Sequence, residues 1–297
     1  MSQPPDILCA GAVLWDIIGR SHLSLRPGSD VPGRITRLPG GVAMNIAMTL
    51  ASFGLTPALL TAIGRDSEGE ELIAACRQRG LITTHVYRPP DLPTDRYMAI
   101  EGAGGLVAAI ADAHTLEAAG ARILTPLTDG TLGSVQAPWS GMIAVDGNLT
   151  EGLLAAIADD PAFAAADLRL APASPGKAER LRPLLKHPSA TLYVNLEEAR
   201  LLTRTDVATA AQGAEALLAC GARRVLVTDG GNPAADGSRQ GVIVAQPPQV
   251  VVARVTGAGD TFMAAHILAE RRGANRAQAQ TAALQAAAAY VSGDIAT

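Results

Sequence analysis

The 297-residue sequence predicts an α/β fold built on a mostly parallel sheet, with a smaller sheet projecting from it. Three observations carry that prediction. Short apolar runs recur along the chain, continuous enough to be buried on both faces, which is how strands of a parallel sheet read. Segments with helical periodicity stand beside them, giving the βα rhythm of a layered α/β domain. Two stretches, approximately 18–39 and 94–112, break that rhythm and carry no helix of their own.

Taken in order, "DILCAGAVLWD" (6–16) reads as a first strand ending near Asp16. "NIAMTLASFG" (45–54) reads as a helix closed by Gly54, and "PALLTAIG" (57–64) as a strand. "SEGEELIAACRQRG" (67–80) reads as a helix, with Ser67 and Glu70 placed to form a capping box and Gly80 at its end. "TDRYMAIEGAGGLVAAIAD" (94–112) has the pattern of two strands around a glycine turn. Then "RILTPL", "GMIAVDGN", "TLYVN" and "RRVLVTDG" read as buried strands, and "NPAADGSRQGVIVA" (232–245) as a hairpin. Asp16, Asp146, Asn195 and Thr228–Gly230 fall at expected strand ends, where ligands of such sheets gather.

Composition narrows the classes. Hydrophobic residues make up 48% but aromatics only 3%, so Ala, Leu and Val must fill the core. A net charge of −4, with Lys177 and Lys186 as the only lysines and no basic run, speaks against a nucleic-acid polymer as partner. Cys9, Cys76 and Cys220 are odd in number and far apart, unlike a disulfide frame or a metal knot. The five histidines lack ligand spacing. No signal-peptide pattern opens the chain and no apolar run reaches membrane-spanning length, so a cytoplasmic protein without a membrane partner is expected.

The chemistry concentrates in "VTGAGDTFMA" (255–264). Gly257, Ala258 and Gly259 stand where a helix begins, and its unpaired N–H groups can receive an anion. Asp260 in the first turn is placed either to cap that helix or to accept a proton from a bound hydroxyl. Asn195 and Glu198 form N-x-x-E, a capping box or a polar pair on one helix face. Asn45 opens an apolar helix behind the glycine pair Gly40–Gly41. No GxxxxGK[ST] loop occurs, which excludes a Walker-type nucleotide site.

Together these motifs resemble the ribokinase-like (PfkB-type) carbohydrate and nucleoside kinases over essentially the whole chain. "LPGGVAMNIAMTLASFG" is similar to the family's N-terminal motif, "VTGAGDTFMA" to its C-terminal motif, and "IGRDSEG" and "NLEEARLL" to landmarks between them. The resemblance implies a single domain over 1–297, a three-layer sandwich with a small β-sheet lid formed by the two inserts. It implies Asp260 as the base and Gly257, Ala258 and Gly259 as the anion hole. Asp16, Gly40, Gly41 and Asn45 would hold the sugar. Asn195, Thr228, Gly230, Gly257 and Gly259 would meet ATP, and Glu198 would reach Mg²⁺ through water. K⁺ or another monovalent cation is a further possible cofactor, and a homodimer a possible assembly. "TDRYMAIEGAGGLVAAIAD", "VDGNLT" (145–150) and "SPGKAERL" (174–181), which carries Lys177, resemble segments of pseudouridine kinases within that family. Met44 stands where those kinases often carry arginine. The expected reaction is phosphorylation of the ribose 5′-hydroxyl of pseudouridine. Kinases of ribose, adenosine or inosine, and a sugar or nucleoside sensor without turnover, are the alternatives.

Overall fold

The first apolar run forms β1 (Ile7–Ala10), every residue of it buried. Ile7 and Cys9 enter one core while Leu8 and Ala10 enter another, because successive strand residues point to opposite faces. The structure, a computed structural model, describes residues 4–26 and 28–294. After β1 the chain leaves the main sheet at Gly11 and enters β2 (Leu14–Arg20) of a second sheet. The reading of residues 6–16 as one strand is therefore corrected. Asp16 belongs to β2, and the strand ends at Ala10. Alternation hid the break, since Ala12, Val13 and Leu14 are as buried as the strand before them.

β3 (Arg34–Gly40) returns to α1 (Val42–Ser52), followed by β4 (Pro57–Leu60) and α2 (Ser67–Gln78). The cap of α2 is Asp66, which accepts from Gly69 N at 2.8 Å. The expected Ser67–Glu70 box is absent, and Glu70 pairs with Arg88 instead. β5 (Arg96–Gly102) and β6 (Gly105–Asp112) form the expected hairpin. After α3 (His114–Ala119), "RILTPL" lies in a 3₁₀ helix, Gly120–Leu127, and not in a strand. Pro126 has no N–H for a sheet ladder, and Ile123, Leu124 and Leu127 still reach the core from one face.

β7 (Met142–Asp146), α4 (Glu151–Asp159), β8 (Asp167–Ala171), α5 (Pro175–Ala178), β9 (Thr191–Asn195), α6 (Leu196–Thr203) and α7 (Ala210–Ala219) continue the alternation. β10 (Arg224–Asp229) leads to the hairpin β11 (Asn232–Ser238) and β12 (Gly241–Ala245). α8 (Ala258–Arg271) and α9 (Arg276–Ser292) close the chain. The main sheet runs β12-β11-β10-β9-β8-β7-β1-β4. It is parallel from β10 to β4, and antiparallel where β11 pairs with β10 and with β12. Helices cover both faces, which makes the three-layer α/β sandwich. α1, α2, α8 and α9 share one core, and the intervening helices pack on the other.

The smaller sheet runs β3-β2-β5-β6, with β2 and β5 parallel. Its register puts Asp16 beside Leu38 and Tyr97 on one face. The opposite face carries Ile17, Met98 and Ile110, with Ile35 and Ile100 along it. Among the described residues no helix is long and apolar enough to cross a membrane.

A charged cluster lies between the main sheet and α8. Arg169 on β8, Arg224 on β10 and Asp236 on β11 meet His266 and Glu270 on α8 and Arg276 on α9. Tyr193 bridges Arg169 (3.0 Å) and His266 (2.9 Å). Burial pushes His266 down to about 4, so its ring is neutral at pH 7, while the arginines hold Glu270 ionised near 2 against its own burial. Replacing Glu270 by Gln leaves two largely buried guanidiniums short of a counter-charge. The expected cost is about 2–3 kcal/mol, read from urea unfolding; a loss within about 0.5 kcal/mol would mean that solvent already screens the cluster.

Candidate active site

The site begins with a fully buried carboxylate. Asp146, at the end of β7, accepts hydrogen bonds from Ala12 N (2.9 Å), Ala43 N (2.9 Å) and Asn148 N (2.8 Å). These amides belong to the β1–β2 crossing, the first turn of α1 and its own loop. Burial raises its pKa while the three amides oppose that rise. Asp146 thereby pins two of the places where the chain passes to or from the smaller sheet.

Asp16 and Gly40 face each other just beyond that pin. Gly40 is required by close approach, because a Cβ there would stand 2.0 Å from Asp16 Oδ2. Burial pushes the Asp16 carboxyl up to about 6, and no donor among the described residues offsets it. An acid with empty acceptor sites is suited to sugar hydroxyls. Gly41 is the N-cap of α1. Asn45 therefore sits one turn inside and does not cap the helix. Its Nδ2 donates to Asp260 Oδ2 at 2.9 Å, which joins the two motifs across 215 residues of sequence. Met44, next to it, is buried in the opposite direction, where Cys76 Sγ contacts its sulfur.

Asp260 is the third residue of α8, whose N-cap Gly257 has φ 90°. Gly257 has a second reason to lack a side chain, since a Cβ would meet Tyr290 Oη at 2.5 Å. Gly259 faces open space, so the N–H groups of this first turn are approachable by an anion. Burial, with the charges of Asp146 and Asp16 behind it, pushes the Asp260 carboxyl up to about 7. Asp260 thus feels the other two carboxylates, and of the three only Asp146 has a full set of donors.

Asn195 and Glu198 make a complete capping box on α6: Glu198 N donates to Asn195 Oδ1 (2.9 Å) and Asn195 N to Glu198 Oε2 (2.8 Å). Burial raises Glu198 to about 7, and the Glu197 and Asp260 charges add to the rise. One glutamate oxygen remains outside that box, where Mg²⁺-bound water would suit it. Thr228 pairs with Asn195 in the sheet register, and Gly230 turns the chain beyond it with φ 56°. The neighbouring Asp229 accepts from Asn232 in that turn. Lys177 on α5 donates to Asn148 Oδ1 at 2.8 Å, and Arg180 binds Asn148 O at 3.2 Å. Burial and Arg180 lower the Lys177 pKa. Asn148 and Arg180 were not singled out in the sequence, although "DGN" after a strand is the kind of turn that presents side chains at a sheet edge. Among the described residues no cluster of three His, Cys, Asp or Glu is arranged to hold a metal ion directly.

The raised Asp260 pKa makes a prediction about the ligand-free protein. A carboxyl whose pKa rises from 3.8 to about 7 on folding contributes stability present below pH 4 that is lost as pH rises through 7. Asp260→Asn removes that loss. Its melting temperature should exceed the parent's at pH 8, and the gap should narrow by pH 5. Equal melting temperatures at pH 8 would show that Asp260 ionises there without penalty.

The pfkB family carbohydrate kinase profile matches residues 4–294. The pseudouridine kinase of Escherichia coli is 30% identical over 276 residues, covering 89% of this chain and 83% of that one. A carbohydrate kinase from Agrobacterium tumefaciens superposes with a TM-score of 0.80 at 28% identity, over 98% of this chain and 92% of that chain. Arabidopsis thaliana ribokinase complexed with ribose and ATP shares the fold, with a TM-score of 0.78 at 22% identity over 97% and 93% of the two chains. The chain belongs to the pfkB family of carbohydrate kinases.

Proposed function

We propose that this kinase phosphorylates the ribose 5′-hydroxyl of pseudouridine, with ATP and Mg²⁺, to give pseudouridine 5′-phosphate. The observation that carries the reading is the pair of under-donated carboxylates: Asp16, facing Gly40, and Asp260, held by Asn45 at the open end of α8. Asp16 accepts hydroxyls of the sugar and fixes its orientation, with Gly40, Gly41 and Asn45 around it. Asp260 accepts the proton of the 5′-hydroxyl as its oxygen bonds to the γ-phosphorus and the bond to ADP breaks. The N–H groups of Gly257, Ala258 and Gly259 meet the negative charge that develops. Asn195, Thr228 and Gly230 line the nucleotide side, and Glu198 orients water on Mg²⁺, which supplies charge neutralisation for the phosphates.

The choice of a nucleoside over a plain sugar rests on the half-buried Lys177–Asn148 pair, whose polar groups suit a base, and on the pseudouridine kinase of E. coli as a relative. We treat the chain as one kinase unit in which the inserts at approximately 18–39 and 94–112 cover the substrate. The exposed apolar face of that small sheet, with Ile35 at 77% and Ile110 at 69% exposure, suits a homodimer. Sedimentation of the parent as a monomer at micromolar concentration would remove that assembly. ATP as donor and three unbridged thiols are in keeping with a cytoplasmic setting.

Two measurements test the reaction. A panel of pseudouridine, uridine, ribose, adenosine and inosine should give pseudouridine a kcat/KM at least about tenfold above the rest, about 1.4 kcal/mol of discrimination. Equal turnover of ribose or adenosine would give that substrate the site instead. Asp260→Asn should lower kcat by about a hundredfold or more with both substrates still bound, and the parent's kcat/KM should climb as pH rises through the Asp260 pKa of about 7. Near-normal kcat in the variant would reduce Asp260 to a structural partner of Asn45.

A further inference from the structure

The segment that delivers the chain into α8 is bolted to the far end of α9. Ala253 N and Arg254 N both donate to Val291 O, at 2.9 and 3.2 Å. Tyr290 Oη donates to Thr256 O at 2.9 Å, one residue before Gly257. Arg254 Nε donates to Tyr290 O at 2.8 Å, and its guanidinium lies 3.7 Å above the Tyr290 ring. Tyr290 is the one aromatic in the alanine-rich α9, so its ring is the only large group that this helix offers to the loop.

A monovalent cation that supports an anion hole needs a shell of carbonyl or carboxylate oxygens close to that loop. The C-terminal carbonyls of α9 are where such oxygens converge, at the negative end of a helix dipole. In this chain they are occupied by donors. Ala289 O receives Asp294 N, Tyr290 O receives Gly293 N and Arg254 Nε, and Val291 O receives the two loop amides. Thr256 O is engaged by the Tyr290 hydroxyl. Among the described residues these oxygens do not fit K⁺, and the Arg254 guanidinium already stands against one of them.

We infer that Arg254 is a built-in cation, which holds the Thr256–Gly257 turn against α9 and makes catalysis independent of K⁺. The inference rests on the kinase reading of the α8 N-terminus. Arg254 is a positioning residue in it: the guanidinium and the Tyr290 ring fix the turn, and the turn aims the N–H groups of α8. Cation–π stacking adds to the carbonyl bond in holding the side chain in one place.

The test uses the full chain freed of alkali ions in a tetramethylammonium buffer with Mg²⁺ and ATP. Adding KCl or NaCl at matched ionic strength should leave kcat and the KM for ATP within about twofold. A rise of about fivefold or more given by K⁺ and not by tetramethylammonium would overturn the inference. Arg254→Ala should lower kcat by about tenfold or more at unchanged acceptor KM. Millimolar guanidinium should restore part of it, and Arg254→Lys should fall between the two. Parent-like kcat in Arg254→Ala, or a lost kcat that guanidinium does not raise, would also overturn it. The shift in melting temperature that MgATP produces, measured in K⁺ and in tetramethylammonium, gives an answer without turnover. Equal shifts are expected, and a larger shift in K⁺ counts against Arg254 as the resident cation. Should no acceptor in the panel react, that failure belongs to the kinase reading, and the melting comparison still decides the cation.

Discussion

Asp146 holds three backbone amides, and each amide belongs to a segment that carries part of the site. A buried carboxylate is costly unless its acceptor positions are filled, and here backbone fills them. Ala12 leads into the strand bearing Asp16, Ala43 opens the helix bearing Asn45, and Asn148 meets Lys177. The same carboxylate then acts at a distance, since its charge helps to raise the pKa of Asp260. One group thus ties together the segments that carry Asp16, Asn45 and Asn148, and adds to a rise in the Asp260 pKa that burial leads.

α8 is held at both ends by different physics. Its first turn is tied to α1 through a single Asn45–Asp260 bond and stays approachable. Its other end is locked by Glu270 and His266 in a network that spans four strands and α9. Charge-assisted bonds in a largely dry setting resist rotation of the helix about its axis. Rotation would carry Asp260 away from Asn45, so the distant cluster contributes to the precision of the site without touching it.

How legible was this in the sequence? Continuous apolar strands, the glycine–aspartate start of α8 and N-x-x-E are local patterns, and the structure places them where periodicity and capping put them. β8 had no such signal: Asp167 and Arg169 interrupt its five residues, and their charges make sense only beside Glu270, 101 residues away. The capping of α2 by Asp66 in place of Ser67 was decided by Thr94, whose backbone and hydroxyl both bond the same carboxylate. Asp16 was recognised as a candidate but placed on the wrong sheet, because a crossing of three buried residues looks like more strand. Asn195 and Glu198 satisfy the capping geometry in full, and only the raised pKa of Glu198, a weakened acid, sets that pair apart from an ordinary helix start.

The small sheet joins the body at four places, before Leu14, after Gly40, before Arg96 and after Asp112, and its register puts all four at one end of the strands, with the first two beside the Asp146 pin. Geometrically this is a door hung on one short hinge. A strand advances about 3.3 Å per residue; Asp16 lies close to the hinge, while Arg20 and its partner Glu101 lie four residues further out. A tilt that moves the outer edge by several ångströms displaces Asp16 by a fraction of that. A wide swing of the outer edge is thereby compatible with an Asp16 carboxylate that scarcely leaves its place beside Gly40.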